Sequence, residues 1–155
     1  MKEMVLYYNP RLKEEWTSGN LKKLWKERFS DLFTDKDYKL VNNQNSYHFG
    51  EWFAAIIFFL QGYRVFIEKY TCSGKRPEQI KKMKEIMGES NFEKVMAKAS
   101  GAPDLFVFDE KTKKFFFVEV KVDKDKSFDG QDAFSKFLED ENISSYVLHL
   151  KSQTL

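Results

Sequence analysis

A single cysteine, Cys72, stands among 155 residues, so no internal disulfide can form and a reducing cytoplasm is the expected home. Histidine is nearly as scarce: His48 and His149 lie far apart, and no Cys/His spacing of a zinc site is present. Long apolar runs are missing too. The most apolar stretch, Phe53 to Leu60, is too short to span a bilayer, and Met1 to Pro10 mixes charges with tyrosines instead of forming the apolar core of a signal peptide, so no membrane role is expected. Charge of one sign does not dominate either: 26 Lys and Arg against 24 Asp and Glu leave +2, which by itself points to no polyanionic partner. The sequence also lacks repeats, low-complexity tracts, linker-like stretches, a glycine-rich phosphate loop ahead of a helix, and any local signature of a Ser or Cys nucleophile.

What is present is apolar and aromatic. Hydrophobic residues make up 42% and aromatics 17%, with 16 phenylalanines, enough to build one core, and the length fits a single domain over 1–155. Leu21, Leu24, Trp25, Phe29, Leu32 and Phe33 recur at helical spacing behind Asn20 as N-cap, with Lys22, Lys23, Lys26 and Arg28 on the opposite, solvated face. A second helix is expected from about Tyr47 to Gln61, capped by Asn45 or Ser46 and stopped by Gly62. It is apolar almost all round, with Glu51 an isolated acid in its first turn.

Tyr63 to Glu68 alternates like a strand. Pro77 is placed as a first helical residue and Ser90 with Glu93 reads as a capping box, so two short helices should fill Pro77 to Lys98. Strands follow at Asp104 to Asp109 and Phe115 to Lys121, joined by the lysine-rich turn Glu110 to Lys114. A helix from about Asp129 to Leu138 and a strand from Ser145 to Leu150 close the chain. The result is an α/β core over 46–150 in the order αβββαβ, with a helical extension over 1–45 and a helical insertion over about 72–100, after the first core strand.

The chemistry gathers on the two central strands. Glu119 and Lys121, two residues apart, must share a face with Phe115 and Phe117. With the turn centred between Lys111 and Thr112, antiparallel pairing sets Phe108 opposite Phe115, Phe106 opposite Phe117 and Asp104 opposite Glu119. Directly opposed carboxylates have Cβ atoms roughly 5 Å apart and destabilise a sheet unless something neutralises them. A hard divalent cation fits, Mg2+ or Mn2+, because the donors are oxygens and no His or Cys is near. The plain alternative is a salt-bridged strand end in which Lys121 pairs with either acid.

Pro103-Asp104 and Glu119-Val120-Lys121 resemble the PD and E-x-K elements of the PD-(D/E)XK nuclease superfamily. The ordered set Glu51, Gly101-Ala102-Pro103-Asp104, Glu119-Val120-Lys121, Asp125 and Gln131 is similar to the virus-type replication-repair nuclease branch, VRR-Nuc. Where that branch commonly has Gly-Pro after the lysine, this chain has Val122-Asp123.

The resemblance implies a restriction-endonuclease-like core, a mixed sheet flanked by helices, and hydrolysis of phosphodiester bonds. It assigns catalytic roles to Glu51, Asp104, Glu119, Lys121 and Gln131, with Asp104, Glu119, the Val120 carbonyl and Glu51 as metal ligands. Gln131, on a helical face with Phe134 and Leu138, would orient Lys121 or the attacking water, whereas Asp125 reads as a cap or loop residue. The implied partner is DNA, with branched DNA in replication, repair or recombination as the first expectation, and a homodimer is left open. Lys81, Lys113, Lys114, Lys124 and Lys126 are candidate phosphate contacts. Two rival readings are a sequence-specific restriction-type endonuclease and a non-catalytic nucleic-acid-binding module on the same fold.

Overall fold

The computed structural model describes residues 2–42, 48–67, 76–98, 103–123 and 129–153, and for 129–132 the backbone alone. Five strands form one mixed sheet in the order β1-β5-β4-β3-β2, with β1 at Lys2–Tyr8, β2 at Arg64–Ile67, β3 at Leu105–Phe108, β4 at Phe115–Val122 and β5 at Ser145–Ser152. The strand β3 is antiparallel to its neighbours β2 and β4, whereas β4, β5 and β1 run parallel. The helices are α1 (Pro10–Thr17), α2 (Asn20–Arg28), α3 (Asp35–Asn42), α4 (Phe49–Leu60), α5 (Pro77–Met87), α6 (Glu89–Ala97) and α7 (Asp129–Asp140).

Strand alternation sorts the core into two layers. Leu105, Val107, Val118, Val120, Leu148 and Leu150 face Trp16, Phe49 and Trp52 of α1 and α4. Their neighbours Phe106, Phe108 and Phe117 face the other way, onto Met83, Ile86 and Val95 of α5 and α6 and Phe134 and Leu138 of α7. The order α4, β2, β3, β4, α7, β5, with α5 and α6 inserted after β2, is the one the sequence predicts.

The N-terminal extension differs from the expectation of a purely helical one. It opens with β1, whose Met4, Leu6 and Tyr8 point into the α1–α4 layer while Glu3, Val5 and Tyr7 stay outside. Its partner β5 lies at the other end of the chain, so no local turn announces the pairing. The helix expected from Leu21 to Phe33 stops at Arg28, with Gly19 rather than Asn20 as the capping residue. Lys22 is not on a solvated face: it is 2% exposed, with its ammonium 5.3 Å from the centre of the Trp16 ring, and burial lowers its pKa. Two further helices appear. In α1 the Asn9 side chain caps Arg11 N–H, and ahead of α3 Thr34 and Asp37 exchange side-chain bonds to each other's backbone N–H.

The insertion carries the expected pair of helices, with Pro77 in the first turn of α5. Ser90 is not a cap: Gly88, at φ 82°, ends α5 and starts α6, so Ser90 sits inside the first turn. The caps proposed at Asn45 and Ser46 lie outside the described residues.

Helix α4 approaches β4 through Gly50. A Cβ there would lie 3.1 Å from Val120 Cγ1 and closer still to Val122 Cγ2, so only glycine lets the first turn of α4 rest on the end of β4. Both valines are stiff at χ1 and cannot turn away cheaply. Gly50→Ala should therefore cost about 1–3 kcal/mol by overpacking, read as a lower denaturation midpoint. An unchanged or raised midpoint would show that α4 lifts off β4 without penalty.

Candidate active site

Asp104, Glu119 and Lys121 come together at one end of the β3–β4 ladder. The observed pairs are Phe108 with Phe115, Phe106 with Phe117 and Leu105 with Val118, the register expected from the hairpin. One residue further, Asp104 stands opposite Glu119, where β3 has ended and β4 runs on to Val122. Phe117 donates its N–H to Ser144 on the β5 side, so alternation turns the N–H and C=O of Val120 toward β3. The Asp104 carboxylate accepts that Val120 N–H at 2.8 Å. Pro103, the residue that would pair with Val120 if the ladder continued, has no N–H to return to the Val120 carbonyl.

Glu119 and Lys121 are buried, at 5% and 6% exposure. Burial is the main cause that pushes Glu119 up to about 10, followed by the charge of Asp104 and a hydrogen bond with it. Lys121 pulls the other way, and the charge of Glu51 adds a further upward push. Glu51 thus reaches the site electrostatically from the first turn of α4, with its Oε2 4.0 Å from His48 Nδ1. His48 itself holds the uncommon φ of 67°.

Two carboxyls and a backbone carbonyl are hard oxygen donors, the set that suits Mg2+ or Mn2+. Among the described residues no three His, Cys, Asp or Glu side chains converge on a common point that holds a metal, so the pair needs the carbonyl or water to complete a shell. Gln131 lies in the first turn of α7, and its side chain is outside the described set, as are Asp125, Lys124 and Lys126. Lys113 and Lys114 are exposed in the hairpin turn, at the far end of β4 from Glu119, roughly 17 Å along the strand. Lys81 is exposed on α5.

Asp123 is a residue whose part the sequence does not reveal. It leaves β4 at φ 52° and accepts hydrogen bonds from the Tyr8 hydroxyl at 2.6 Å and the Ser152 N–H at 2.9 Å, which outweigh burial and lower its pKa. The only trace in the sequence is the departure Val122-Asp123 after the lysine. A groove of about 620 Å³ opens beside Asp123 and Tyr8, but Asp104, Glu119 and Lys121 do not line it.

The VRR-NUC domain family matches residues 64–151, more than half of the chain. No curated protein matches. Among solved structures, that of paFAN1 bound to 2-nucleotide 5′-flap DNA with a gap aligns with 94% of this chain at 14% identity and a TM-score of 0.37. This chain covers 22% of that protein. No helix among the described residues is long and apolar enough to cross a membrane.

The acid pair makes a prediction about pH. A carboxyl held at about 10 in the folded, metal-free protein takes up a proton on folding, because its unfolded counterpart ionises near the ordinary value of 4.5. Stability from this group is therefore full below the unfolded pKa and is lost as pH rises through the folded one. Metal-free protein should melt lower with each step from pH 5 to pH 9 in chelator, and Glu119→Gln should flatten that slope. The same slope in Glu119→Gln would assign it to other groups.

Proposed function

Because the chain belongs to the VRR-NUC domain family, we propose that it hydrolyses phosphodiester bonds in DNA with a Mg2+ or Mn2+ ion held by Asp104, Glu119 and the Val120 carbonyl. The observation that carries this reading is the opposed, hydrogen-bonded Asp104–Glu119 pair with Lys121 on the same strand face, at the one place where β4 outruns β3. A bound divalent ion supplies Lewis acidity toward a phosphate oxygen and lowers the pKa of its water. Glu51 joins through water or at a second ion, since it acts on Glu119 from α4.

Lys121 stays buried beside Glu119, where its ammonium holds positive charge against the carboxylates and positions the attacking water. Gln131, at the start of α7, is proposed to orient Lys121 or that water. Branched DNA in replication, repair or recombination is the proposed substrate class, on the strength of the family resemblance, and a homodimer would allow symmetric cutting of a junction. Lys81 lies toward the same end as Lys113 and Lys114, since its neighbour Lys82 pairs with Glu110 of the hairpin turn at 3.0 Å, and these three exposed lysines are proposed as phosphate contacts away from the acids.

The test separates metal binding from chemistry. Lys121→Ala should keep Mg2+-induced thermal stabilisation and DNA binding in Ca2+, yet lower single-turnover cleavage by a factor of at least about a hundred. Glu119→Ala should lose cleavage and the metal response together. Near wild-type cleavage by Lys121→Ala would reduce Lys121 to a structural ion-pair partner and sink the assignment.

A further inference from the structure

The register of the parallel strands extends the catalytic face well beyond the catalytic strand. Glu119 pairs with Val147 and Val147 with Glu3, Lys121 pairs with His149 and His149 with Val5, and Lys151 pairs with Tyr7. Paired residues of adjacent strands share a face, and this is the face away from α1–α4, because Met4, Leu6, Leu148, Leu150 and Val120 all pack into that layer. The face therefore runs from Asp104 across Glu119 and Lys121 to His149, Lys151, Val5 and Tyr7 without a break in the sheet.

Cover thins along that line. The helices α5, α6 and α7 pack on phenylalanines of β2, β3 and β4, and α7 also meets β5. Over β1 the face is open: Val5 is 45% exposed and Tyr7 59%, against 5% for Glu119. The His149 side chain, between them, is 32% exposed, with its Nε2 3.3 Å from Glu3 Oε1. The carboxylate of Glu3 is thus paired with the imidazole, and Lys151 stands on the same face as an exposed cation. The distance from Lys121 to β1 is two strand spacings, about 10 Å.

We infer that the open part of this face, β1 together with the end of β5 at His149 and Lys151, receives an unpaired DNA strand running out from the scissile phosphate, with bases stacked on Tyr7 and His149 and a phosphate on Lys151. The inference rests on the nuclease reading above and adds the form of the substrate to it. Exposed rings interleaved with a cation are what single strands bind, since every base has a π-face to stack. A duplex keeps those faces inside its own stack and has no use for the rings. Register joins the two places: Lys121 pairs with His149 and His149 with Val5, and beyond them Val5 and Tyr7 stand exposed.

The experiment measures affinity in Ca2+ by fluorescence anisotropy for a single strand, a blunt duplex and a duplex with a single-stranded arm, and cleavage of the same three in Mg2+. Tyr7→Ala should weaken the single strand and the arm about tenfold and leave the blunt duplex unchanged, whereas Tyr7→Phe keeps wild-type affinity. Lys151→Glu should weaken the same two probes and flatten their salt dependence. Equal loss on the blunt duplex, or no loss on any probe, overturns the inference. A Tyr7→Ala protein that turns from dimer to monomer in sedimentation, with unchanged ratios among the probes, also overturns it and makes the face a contact between copies. Failure here is distinguishable from failure of the nuclease reading: wild-type protein that cleaves while Tyr7→Ala keeps its arm preference defeats the inference alone. Wild-type protein that neither binds nor cleaves any probe defeats both.

Discussion

The bond from the Val120 N–H to the Asp104 carboxylate decides how the sheet ends, and the site follows from it. A backbone acceptor in its place would prolong the β3–β4 ladder and bury the Val120 carbonyl in it. Asp104 satisfies the donor with a side chain instead, while Pro103 withholds the return bond. The strand pair thus stops one residue short of Glu119, and β4 continues paired with β5 but without β3, with the Val120 carbonyl turned to the gap. Two acids and one carbonyl meet there because a ladder was cut at that point.

Such an arrangement opposes folding locally. Like charges across a ladder repel, and Glu119 sits on a floor continuous with Phe117 and Phe106, where its ionised form loses water. The rest of the fold offsets this. Phenylalanines from β2, β3 and β4 interlock below the acids, with Phe106 5.3 Å from Phe117 and 6.0 Å from Phe66. On the other face Gly50 lets α4 close against Val120 and Val122, so the strand that bears the charges is fixed from both sides.

Legibility in the sequence tracked how local each cause was. The β3–β4 register followed from a short turn between alternating strands, so the opposition of Asp104 and Glu119 was readable from residues 104 to 121. The end of α4 at Gly62, with φ of 99°, was equally local. What escaped depended on distant partners. Lys22 looked solvated by helical phase, but Trp16 from the preceding helix lies under its ammonium. Ser90 looked like a cap, yet Gly88 reaches a backbone conformation closed to serine and takes the boundary two residues earlier. The strand β1 has its period-two pattern in view, but nothing near it says that Tyr146 to Ser152 will pair with it.

That last case bears on where the site begins. The family match starts at residue 64, yet Glu51 lies before it on α4, and α4 is positioned by the N-terminal segment: Trp16 meets Trp52 at 5.3 Å and Tyr8 meets Phe49 at 5.2 Å. Tyr8 also ties down Asp123, two residues after Lys121, and its carbonyl takes the N–H of Gln153 beyond β5. A single tyrosine therefore touches the helix that carries Glu51, the end of the strand that carries Glu119 and Lys121, and the strand that carries His149. Loss of β1 would remove a contact from each of the three at once, because each is to a different element. The N-terminal strand is for that reason part of the frame of the sheet that carries Asp104 and Glu119, while the spacing of the two acids is set by the β3–β4 register and the Val120 N–H bond to Asp104.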